Sequence, residues 1–425
     1  MAKVQGLIER RLRPALEAAL ADTPVVLLIG PRQVGKTTLC GLVAERRGAR
    51  LLALDDAATL AAATADPQTF IDSLRGPVVI DEIQKAPMLL PAIKLSVDRR
   101  REPGRFLVTG SADVLALPLI SESLAGRMEV LTLWPFSQGE LIGTREGFID
   151  AVFSEQAPAM AASGESREEI TDLAIRGGFP EAVARAEPAR RRAWFRSYVT
   201  TIVERDIRNL GQISALTELP RILGLAAARS ASLLNIAELS RSTGLAQSTL
   251  RRYLTLLERA FLVRRIPAWA GSRARRVIKM PRIWFPDSGL MSHLAGFTKE
   301  RLLDEPASIG PLLETFVTGE LAKQAGWSRT RVEILHFRAH AGQEVDLVLE
   351  AEDGRLVGIE VKAAARLDAS DFRGLEALRQ LARAKFHRGI VLYTGREVLG
   401  FGKDLWALPL SALWQLEAEA PQFRR

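Results

Sequence analysis

The chain has 425 residues, of which 47% are hydrophobic and 25% charged, a composition typical of globular protein and of about two to four domains. Its one cysteine, Cys40, excludes an intramolecular disulfide and a zinc site built from several cysteines, and this usage is typical of a reducing compartment. The apolar runs are much shorter than the ~20 residues of a membrane-spanning helix. The charged start lacks the apolar core of a signal peptide. We therefore expect a cytoplasmic protein with no membrane segment.

The net charge of +8 at pH 7 is concentrated in one part of the chain. From Arg251 to Arg282 there are ten basic residues and one acid, Glu258, so this window alone carries +9. A local excess of positive charge is typical of a surface that binds nucleic acid. The distribution of charge therefore predicts a polyanionic partner.

The N-terminal third contains a phosphate loop. In "PVVLLIGPRQVGKTTL" an apolar, strand-like run precedes the form G-x-x-x-x-G-K-T, and a helical pattern follows it. Glycines let the backbone N–H groups and the helix N-terminus point at phosphates. Lys36 is expected to reach the β and γ phosphates of ATP, and Thr37 to ligate Mg²⁺. The predicted nucleotide-binding residues are Gly30, Pro31, Arg32, Gln33, Val34, Gly35, Lys36, Thr37 and Thr38.

Two later strands are expected to complete this site. "GPVVIDEIQKAP" ends in Asp81, which would hold the Mg²⁺ shell, and Glu82, which would orient or deprotonate the attacking water. "GRFLVTGSAD" ends in polar residues from Thr109 to Ser111, and Ser111 is the candidate to sense the γ-phosphate. Parallel strands bring such ends together at one edge of a sheet. The predicted strands are Val25–Gly30, Leu51–Asp55, Val78–Glu82, Phe106–Thr109 and Met128–Leu133.

These motifs resemble the AAA-type ATPases that pair an AAA domain with a C-terminal domain known as DUF4143. The resemblance rests on motifs that occur in order over most of the chain: "GPRQVGKTTL", "LDD", "IDEIQKAP", "TGSAD", "SLAGRMEVLTLWPFS", "GGFPE" and "VERDI". It implies an ATPase, and it makes Arg127, in "LAGR", a candidate phosphate-sensing or finger arginine. A structural ion pair of Arg127 is an equally open interpretation.

The middle of the chain has the order of a winged helix. A helix through Glu238 is followed by a turn at Gly244, a second helix from about Gln247, and two strands around Gly271. The second helix of such a unit enters the DNA major groove and the wing contacts phosphates. Winged helices also dock proteins or form AAA lids, and that alternative stays open. The predicted DNA-binding residues are Ser248, Arg251, Arg252, Arg264, Arg265, Arg273, Arg275, Arg276 and Lys279.

The C-terminal third resembles the PD-(D/E)XK nuclease-like fold in its order of polar residues. Glu314 lies on a predicted amphipathic helix, Asp346 near the end of a strand, and Glu360 and Lys362 two apart on the next strand. By this resemblance the three acids would bind Mg²⁺, and Lys362 would position or activate water. The alternative is a domain that keeps this fold without the chemistry. Upstream, "PRIWFPDSGL" resembles a family signature, with Arg282 in place of the usual lysine and Asp287 as a structural cap.

The sequence thus predicts an α/β protein with three parts. These are a P-loop AAA-type parallel sheet in residues 1–150, a helical domain with a winged helix in residues 170–295, and an α/β PD-(D/E)XK-like domain in residues 305–425. The predicted function is ATP hydrolysis with an action on DNA, using ATP and Mg²⁺, and nuclease activity is left open. The alternatives are a nucleotide-dependent switch that binds a protein partner and has an inactive nuclease-like domain, and a DNA-binding regulator whose ATP site controls assembly. A homo-oligomer is also expected from the resemblance.

Overall fold

The computed structural model describes residues 6–110, 124–160, 162, 164–207, 216–271, 276, 279–339 and 342–417. The chain divides into two compact units. The first comprises Arg10–Pro135 with Arg259–Phe261, and the second comprises Met1–Glu9, Phe136–Glu258 and Leu262–Arg425. The three-part division expected from the sequence stays a prediction. None of the helices in the described ranges has the length and apolar character needed to cross a membrane.

The first unit contains a five-stranded parallel sheet with the order β2-β3-β4-β1-β5. Its strands confirm the predicted parallel sheet and are β1 Val25–Ile29, β2 Arg50–Ala53, β3 Val78–Asp81, β4 Phe106–Gly110 and β5 Met128–Thr132. The helices of this unit are α1 Arg13–Asp22, α2 Lys36–Arg47, α3 Ala57–Ala65, α4 Pro67–Ser73 and α5 Leu89–Arg99.

The strands of this sheet are apolar along their whole length because both faces of the sheet are covered. Every residue of β1 is buried, as are those of β3 and β4, and continuous Val, Ile and Leu runs are typical of parallel strands buried on two sides. β3 and β4 are neighbours, with Ile80 paired to Val108. Asp81 and Thr109, one residue further along, therefore emerge side by side at the carboxyl edge of the sheet.

The second unit begins with helices. These are α6 Gln138–Ile142, α7 Phe148–Phe153, α8 Arg167–Arg176, α9 Pro180–Val183, α10 Pro188–Thr201 with a π-helical continuation over Ile202–Ile207, α11 Leu219–Ala228, α12 Ile236–Thr243 and α13 Gln247–Arg259. Strands β6 Arg264–Ile266 and β7 Arg282–Trp284 then form an antiparallel pair. Asn235 caps α12, and Gly244 in the left-handed region ends it. The helix-turn-helix and hairpin have the predicted order, while the assignment as a winged helix stays a prediction.

The rest of the second unit is built on a six-stranded mixed sheet with the order β12-β13-β11-β10-β9-β8. β8 to β10 form an antiparallel meander, and β11 runs parallel to both β10 and β13. Its elements are α14 Ser288–Ala295, α15 Lys299–Asp304, α16 Ile309–Gln324, β8 Val332–Arg338, β9 Glu344–Ala351, β10 Leu356–Lys362, α17 Arg373–Ala382, β11 Phe386–Tyr393, β12 Leu399–Gly400, β13 Leu405–Pro409 and α18 Ala412–Gln415.

Helix α16 is buried on nearly every side, although the sequence predicted an amphipathic helix over Gly310–Gly326. Its two most deeply buried charges satisfy each other, because Lys323 Nζ lies 2.6 Å from Glu320 Oε1. Glu320 also accepts the backbone N–H of Gln138 at 2.9 Å, and Lys323 donates to the Phe136 carbonyl at 2.9 Å. The pair therefore attaches the segment that precedes α6 to the centre of the C-terminal fold. Asp287 accepts from the backbone N–H groups of Gly178 and Leu290 and caps α14, as predicted.

The first prediction concerns this buried ion pair. Removing one partner leaves an uncompensated buried charge, so Lys323→Met should lower the free energy of unfolding by roughly 3–5 kcal/mol. The double variant Glu320→Gln/Lys323→Met should recover part of the loss. Lys299→Met, which removes the exposed partner of Asp172, is the control and should change stability little. Chemical denaturation measures all four proteins, and equal effects at Lys323 and Lys299 would contradict the account.

Candidate functional site

The phosphate loop connects β1 to α2, and its glycines adopt backbone conformations that other residues rarely adopt. Gly30 has φ +152° and Gly35 has φ +93°. A Cβ at Gly30 would overlap the carbonyl of Leu133, so the chain can pass there only without a side chain. Gly35 is the N-cap of α2. The first backbone N–H groups of that helix therefore face the loop, where they can bind an anion.

Lys36 is buried at the start of α2. Its ammonium donates to the carbonyls of Gly30 at 3.0 Å and Pro31 at 2.9 Å. Burial lowers its pKa to about 8, because desolvation disfavours the charged form. A bound phosphate supplies the negative charge that would stabilise this ammonium, so the position of Lys36 agrees with its predicted role.

Asp81 joins the loop helix to the neighbouring strand. The hydroxyl of Thr37 donates to Asp81 Oδ2 at 2.8 Å, and that of Thr109 donates to Asp81 Oδ1. The same Thr109 oxygen accepts the backbone N–H of Glu82 at 3.0 Å. Glu82 has φ +61°, a left-handed conformation that non-glycine residues adopt at a cost. Thr109 therefore contacts both acids. Its hydrogen bond with the backbone N–H of Glu82 stabilises the left-handed conformation of that residue.

The oxygens of Thr37 and Asp81 fit a magnesium ion bound together with a nucleotide. Hydroxyl and carboxylate oxygens are ligands that Mg²⁺ prefers, and in such sites the ion takes its remaining ligands from phosphates and water. Among the described residues, no group of three or more His, Cys, Asp or Glu side chains is arranged to hold a metal ion.

The sequence did not predict two residues of this site, Arg10 and Thr109, and it named Ser111 in place of Thr109. Arg10, buried ahead of α1, donates to the carbonyls of Val34 in the loop and Trp134, each at 2.6 Å. It therefore braces the phosphate loop from 24 positions earlier in the chain, and no motif signals such a contact. Thr109 holds the position between the two acids, whereas the predicted sensor Ser111 lies outside the described residues.

Arg127 makes a structural contact. Its Nε lies 2.5 Å from Asp98 Oδ1, and its Nη1 donates to the Ala125 carbonyl at 3.1 Å. The hydrogen bond from Arg127 lowers the pKa of the Asp98 carboxyl. These contacts fit the ion-pair interpretation, and a role in phosphate sensing stays a prediction.

The fold brings together the four residues expected at the nuclease-like site. Lys362 Nζ lies 2.9 Å from Glu360 Oε1 on the same face of β10, and Asp346 Oδ2 accepts the backbone N–H of Val361 at 2.9 Å. Glu314 on α16 completes the group. Burial, followed by the nearby Asp346 charge, raises the pKa of Glu314 well above its usual value and that of Glu360 to about 7.

A fifth residue, Arg282, adds a second cation to this cluster beside Lys362. Its guanidinium lies 3.1 Å from Asp346 Oδ1, 3.5 Å from Glu314 Oε2 and 2.6 Å from Glu344 Oε2, and the side chain is only 7% exposed. The guanidinium therefore contacts oxygens of Asp346 and Glu314 that a metal ion would need, whereas Glu360 is paired with Lys362. Magnesium bound by Glu314, Asp346 and Glu360 does not fit this arrangement, and no step of metal-dependent cleavage follows from it.

Part of the predicted DNA-binding surface is neutralised within the fold. Arg276 is 10% exposed and forms ion pairs with Glu350 at 2.6 Å and Glu333 at 3.3 Å. Arg265 Nε donates to Glu258 at 2.7 Å. The positive charge of these two arginines is therefore offset within the fold, that of Arg276 by acids outside the basic window and that of Arg265 by Glu258 within it.

The exposed part of that surface lies on α13. Ser248, Arg251 and Arg252 are exposed near its N-terminal end, and in the described part of the chain neither arginine has a carboxylate within 4 Å. Burial lowers the pKa of Arg264, which is mostly enclosed. Lys279 is exposed, and Arg273 and Arg275 lie outside the described residues.

Three family models match the chain. They are an AAA domain (AAA_14) over residues 22–142, a domain of unknown function (DUF8612) over residues 167–301 and another (DUF4143) over residues 309–413. The uncharacterized proteins Rv2008c of Mycobacterium tuberculosis and Mb2031c of Mycobacterium bovis are each 32% identical to the chain over 405 residues, which is 95% of this chain and 84% of each relative. The matches confirm the AAA and DUF4143 resemblance, while the nuclease-like resemblance stays a prediction.

Solved structures show more distant likenesses. The Walker-type ATPase PABY2304 of Pyrococcus abyssi is 14% identical, with a TM-score of 0.41 over 69% of this chain and 97% of its own. The RuvB Holliday junction branch migration motor of Thermotoga maritima is 21% identical, with a TM-score of 0.29 over 60% of this chain and 88% of its own. AMPPCP-bound DnaA from Aquifex aeolicus is 14% identical, with a TM-score of 0.28 over 69% and 92%. Scores this low carry no functional argument.

The second prediction separates binding from turnover at the phosphate loop. Lys36→Ala removes a charge-assisted contact to phosphate and should weaken ATP binding roughly tenfold or more. Glu82→Gln keeps the size of the side chain but cannot accept a proton. It should bind ATP as the parent does and hydrolyse it roughly a hundredfold more slowly. Calorimetric titration and phosphate release measure the two effects, and parental turnover by Glu82→Gln would remove Glu82 from the reaction.

Proposed function

This chain belongs to the family in which an AAA domain is joined to a DUF4143 domain, and on that premise we propose that it hydrolyses ATP and couples hydrolysis to an action on DNA. The observation that carries the ATPase part is the contact of Asp81 with both Thr37 and Thr109 at the edge of the parallel sheet. It supports a single site formed by the phosphate loop, the candidate magnesium ligand Asp81 and the candidate base Glu82.

The residues of this site divide the reaction among them. Lys36 and the N–H groups at the start of α2 bind the phosphates, and Thr37 with Asp81 would hold the magnesium ion. When bound, the ion supplies charge that stabilises the phosphate oxygens. Glu82 orients water and accepts its proton as the water oxygen bonds to the γ-phosphorus. The bond from that phosphorus to the β–γ bridging oxygen breaks, which yields ADP and phosphate.

The DNA part of the proposal rests on α12 and α13. They form a helix-turn-helix with the turn at Gly244, and the second helix presents exposed Ser248, Arg251 and Arg252. Exposed arginines that are not neutralised by nearby acids can contact phosphates and base edges. A homo-oligomer belongs to the same proposal, because AAA-type sites are commonly completed by a neighbouring subunit.

The third prediction tests DNA binding by this helix. Arg251→Gln/Arg252→Gln should weaken duplex binding and reduce the slope of log K against log salt by about 2, roughly one for each lost phosphate contact. ATP hydrolysis by the parent should rise on addition of duplex, single-stranded or branched DNA, and the double variant should lose most of that stimulation. The control is Arg265→Gln, whose charge is paired with Glu258.

If the parent shows no salt-dependent binding and no stimulation by any DNA, the DNA proposal fails. If Arg265→Gln weakens DNA binding as much as the double variant does, α13 is not the specific contact. The whole basic window from Arg251 to Arg282 is then the candidate DNA surface.

A second candidate function is a nucleotide-dependent switch that acts on a protein partner, with a nuclease-like domain that does not cut. The position of Arg282 favours the second half of this candidate, since its guanidinium holds Asp346 and approaches Glu314. A nuclease of this type needs those oxygens for its metal ions. Both candidate functions include a site that binds ATP. They differ in the molecule that changes the rate of hydrolysis, which is DNA in the first and a protein partner in the second.

The fourth prediction concerns cleavage. Incubated with Mg²⁺ and duplex, single-stranded or branched DNA, the parent should give the same gel pattern as Lys362→Ala, with no products that depend on Lys362. Products formed by the parent and lost in Lys362→Ala would show that the cluster cuts despite Arg282. The ATPase rate of the same preparations controls for folding.

A further inference from the structure

We propose that the second unit binds a small amphipathic anion, with an apolar body and a carboxylate or phosphate head group, in a cavity between α8, α10 and α14. The cavity has a volume of about 570 Å³, within the range of pockets that hold small molecules. All its lining residues belong to the second unit. It is separate from the phosphate loop and from the acidic cluster at Arg282.

Three buried donors on the cavity wall point to an acceptor. The side-chain nitrogen Nε2 of Gln138 and the Nε atoms of Arg176 and Arg191 are buried and have no hydrogen-bond partner among the described residues. Gln138 is only 2% exposed, and its amide oxygen accepts from Arg176 Nη2 at 3.2 Å, so the nitrogen remains free to donate. A buried donor without a partner is costly. A ligand with several acceptor oxygens would satisfy all three.

The charge of these arginines favours an anion over a neutral acceptor. Within the described residues, neither Arg176 nor Arg191 forms an ion pair with a carboxylate. Burial lowers the pKa of both groups, and for Arg191 the neighbouring Arg176 charge lowers it further. Two desolvated guanidinium groups close to each other repel, and a carboxylate or phosphate between them would remove that repulsion. Planar guanidinium groups bind both anions through paired hydrogen bonds.

Four acids also line the cavity, of which Glu169, Asp172 and Glu300 are exposed and Glu165 is half-buried. Asp172 pairs with Lys299 at 2.9 Å, and Glu169 accepts the backbone N–H of Ser166 at 2.8 Å. Glu165 accepts from Gln415 at 3.2 Å. Within the described residues none of these acids forms an ion pair with Arg176 or Arg191. The Asp172 charge raises the pKa of Arg191, but burial and the Arg176 charge outweigh it.

The rest of the wall is apolar and selects the body of the ligand. Leu173, Phe195, Phe297 and Trp414 line the cavity, and Phe195 and Trp414 are almost completely buried. Aliphatic or aromatic carbons against these side chains gain stability through the area they remove from water. An anion without such a body, like acetate or inorganic phosphate, would use only half of the site.

Titration of the full-length protein with matched eight-carbon probes tests this assignment. Octanoate, octyl phosphate, octanol and octylamine are titrated calorimetrically below their micelle concentrations. At least one of the two anions should bind saturably, and octanol and octylamine at least tenfold more weakly. A preference for octanoate identifies a carboxylate site, and a preference for octyl phosphate a phosphate site. Acetate should bind at least tenfold more weakly than octanoate at a carboxylate site.

Matched variants locate the binding. Arg191→Gln and Arg176→Gln should each weaken the preferred anion at least tenfold, as expected when one charge-assisted contact is lost. Arg190→Gln, an exposed neighbour on the same helix that does not line the cavity, should leave affinity unchanged. If one of the two cavity variants fails to fold, the other variant and the titration of the parent protein with the four probes still test the proposal. No saturable binding of either anion, equal affinity for octanol, or equal weakening in Arg190→Gln would overturn the proposal.

Discussion

Both carboxylate oxygens of Asp81 accept hydrogen bonds from threonine hydroxyls, one on the helix after the phosphate loop and one on the adjacent strand. This arrangement depends on the parallel register of β3 and β4, which brings Asp81 and Thr109 to the same edge. Because the Thr109 oxygen also accepts the N–H of Glu82, the candidate metal ligand Asp81 and the candidate base Glu82 are both held by a single hydroxyl. The chemistry of the site therefore depends on the register of the sheet.

The second unit uses buried charge in a different way. Glu320 and Lys323 on α16 satisfy backbone groups around Phe136 and Gln138, and Arg282 satisfies three carboxylates beside the mixed sheet. Charges buried this deeply are tolerated only when each has a partner. Arg176 and Arg191 are the exception to this rule, because in the described part of the chain neither forms an ion pair with a carboxylate and the Nε atom of each has no hydrogen-bond partner. The presence of partners thus distinguishes the stabilising networks at Lys323 and Arg282 from the candidate ligand site at Arg176 and Arg191.

Local patterns in the sequence predicted the ATPase part well and the C-terminal part less well. The strands of the first sheet follow from apolar runs, and the phosphate loop follows from its glycine spacing, because both depend on residues close together in the chain. Arg282 contacts Asp346, 64 positions away, and Arg276 contacts Glu350, 74 positions away. No window of sequence reveals such pairing. The local excess of positive charge therefore overstated the charge that the folded surface presents.

One further residue and one helix show what the sequence could not predict. Arg10 braces the loop through backbone carbonyls, which any residue provides, so the contact leaves no trace in residue type. The prediction of an amphipathic helix at α16 is wrong because the helix is covered on nearly all sides, whereas an amphipathic helix has one exposed face.

The most direct test of the account is the rate of ATP hydrolysis by Thr109→Val and Thr109→Ser, measured with their affinity for ATP. Valine keeps the shape of the side chain but removes the hydroxyl that contacts Asp81 and Glu82, whereas serine keeps the hydroxyl. The account predicts that Thr109→Val loses at least about tenfold in turnover while Thr109→Ser stays near the parent, with ATP binding by both close to the parent value. Parental turnover by Thr109→Val would contradict the claim that this hydroxyl positions the two acids.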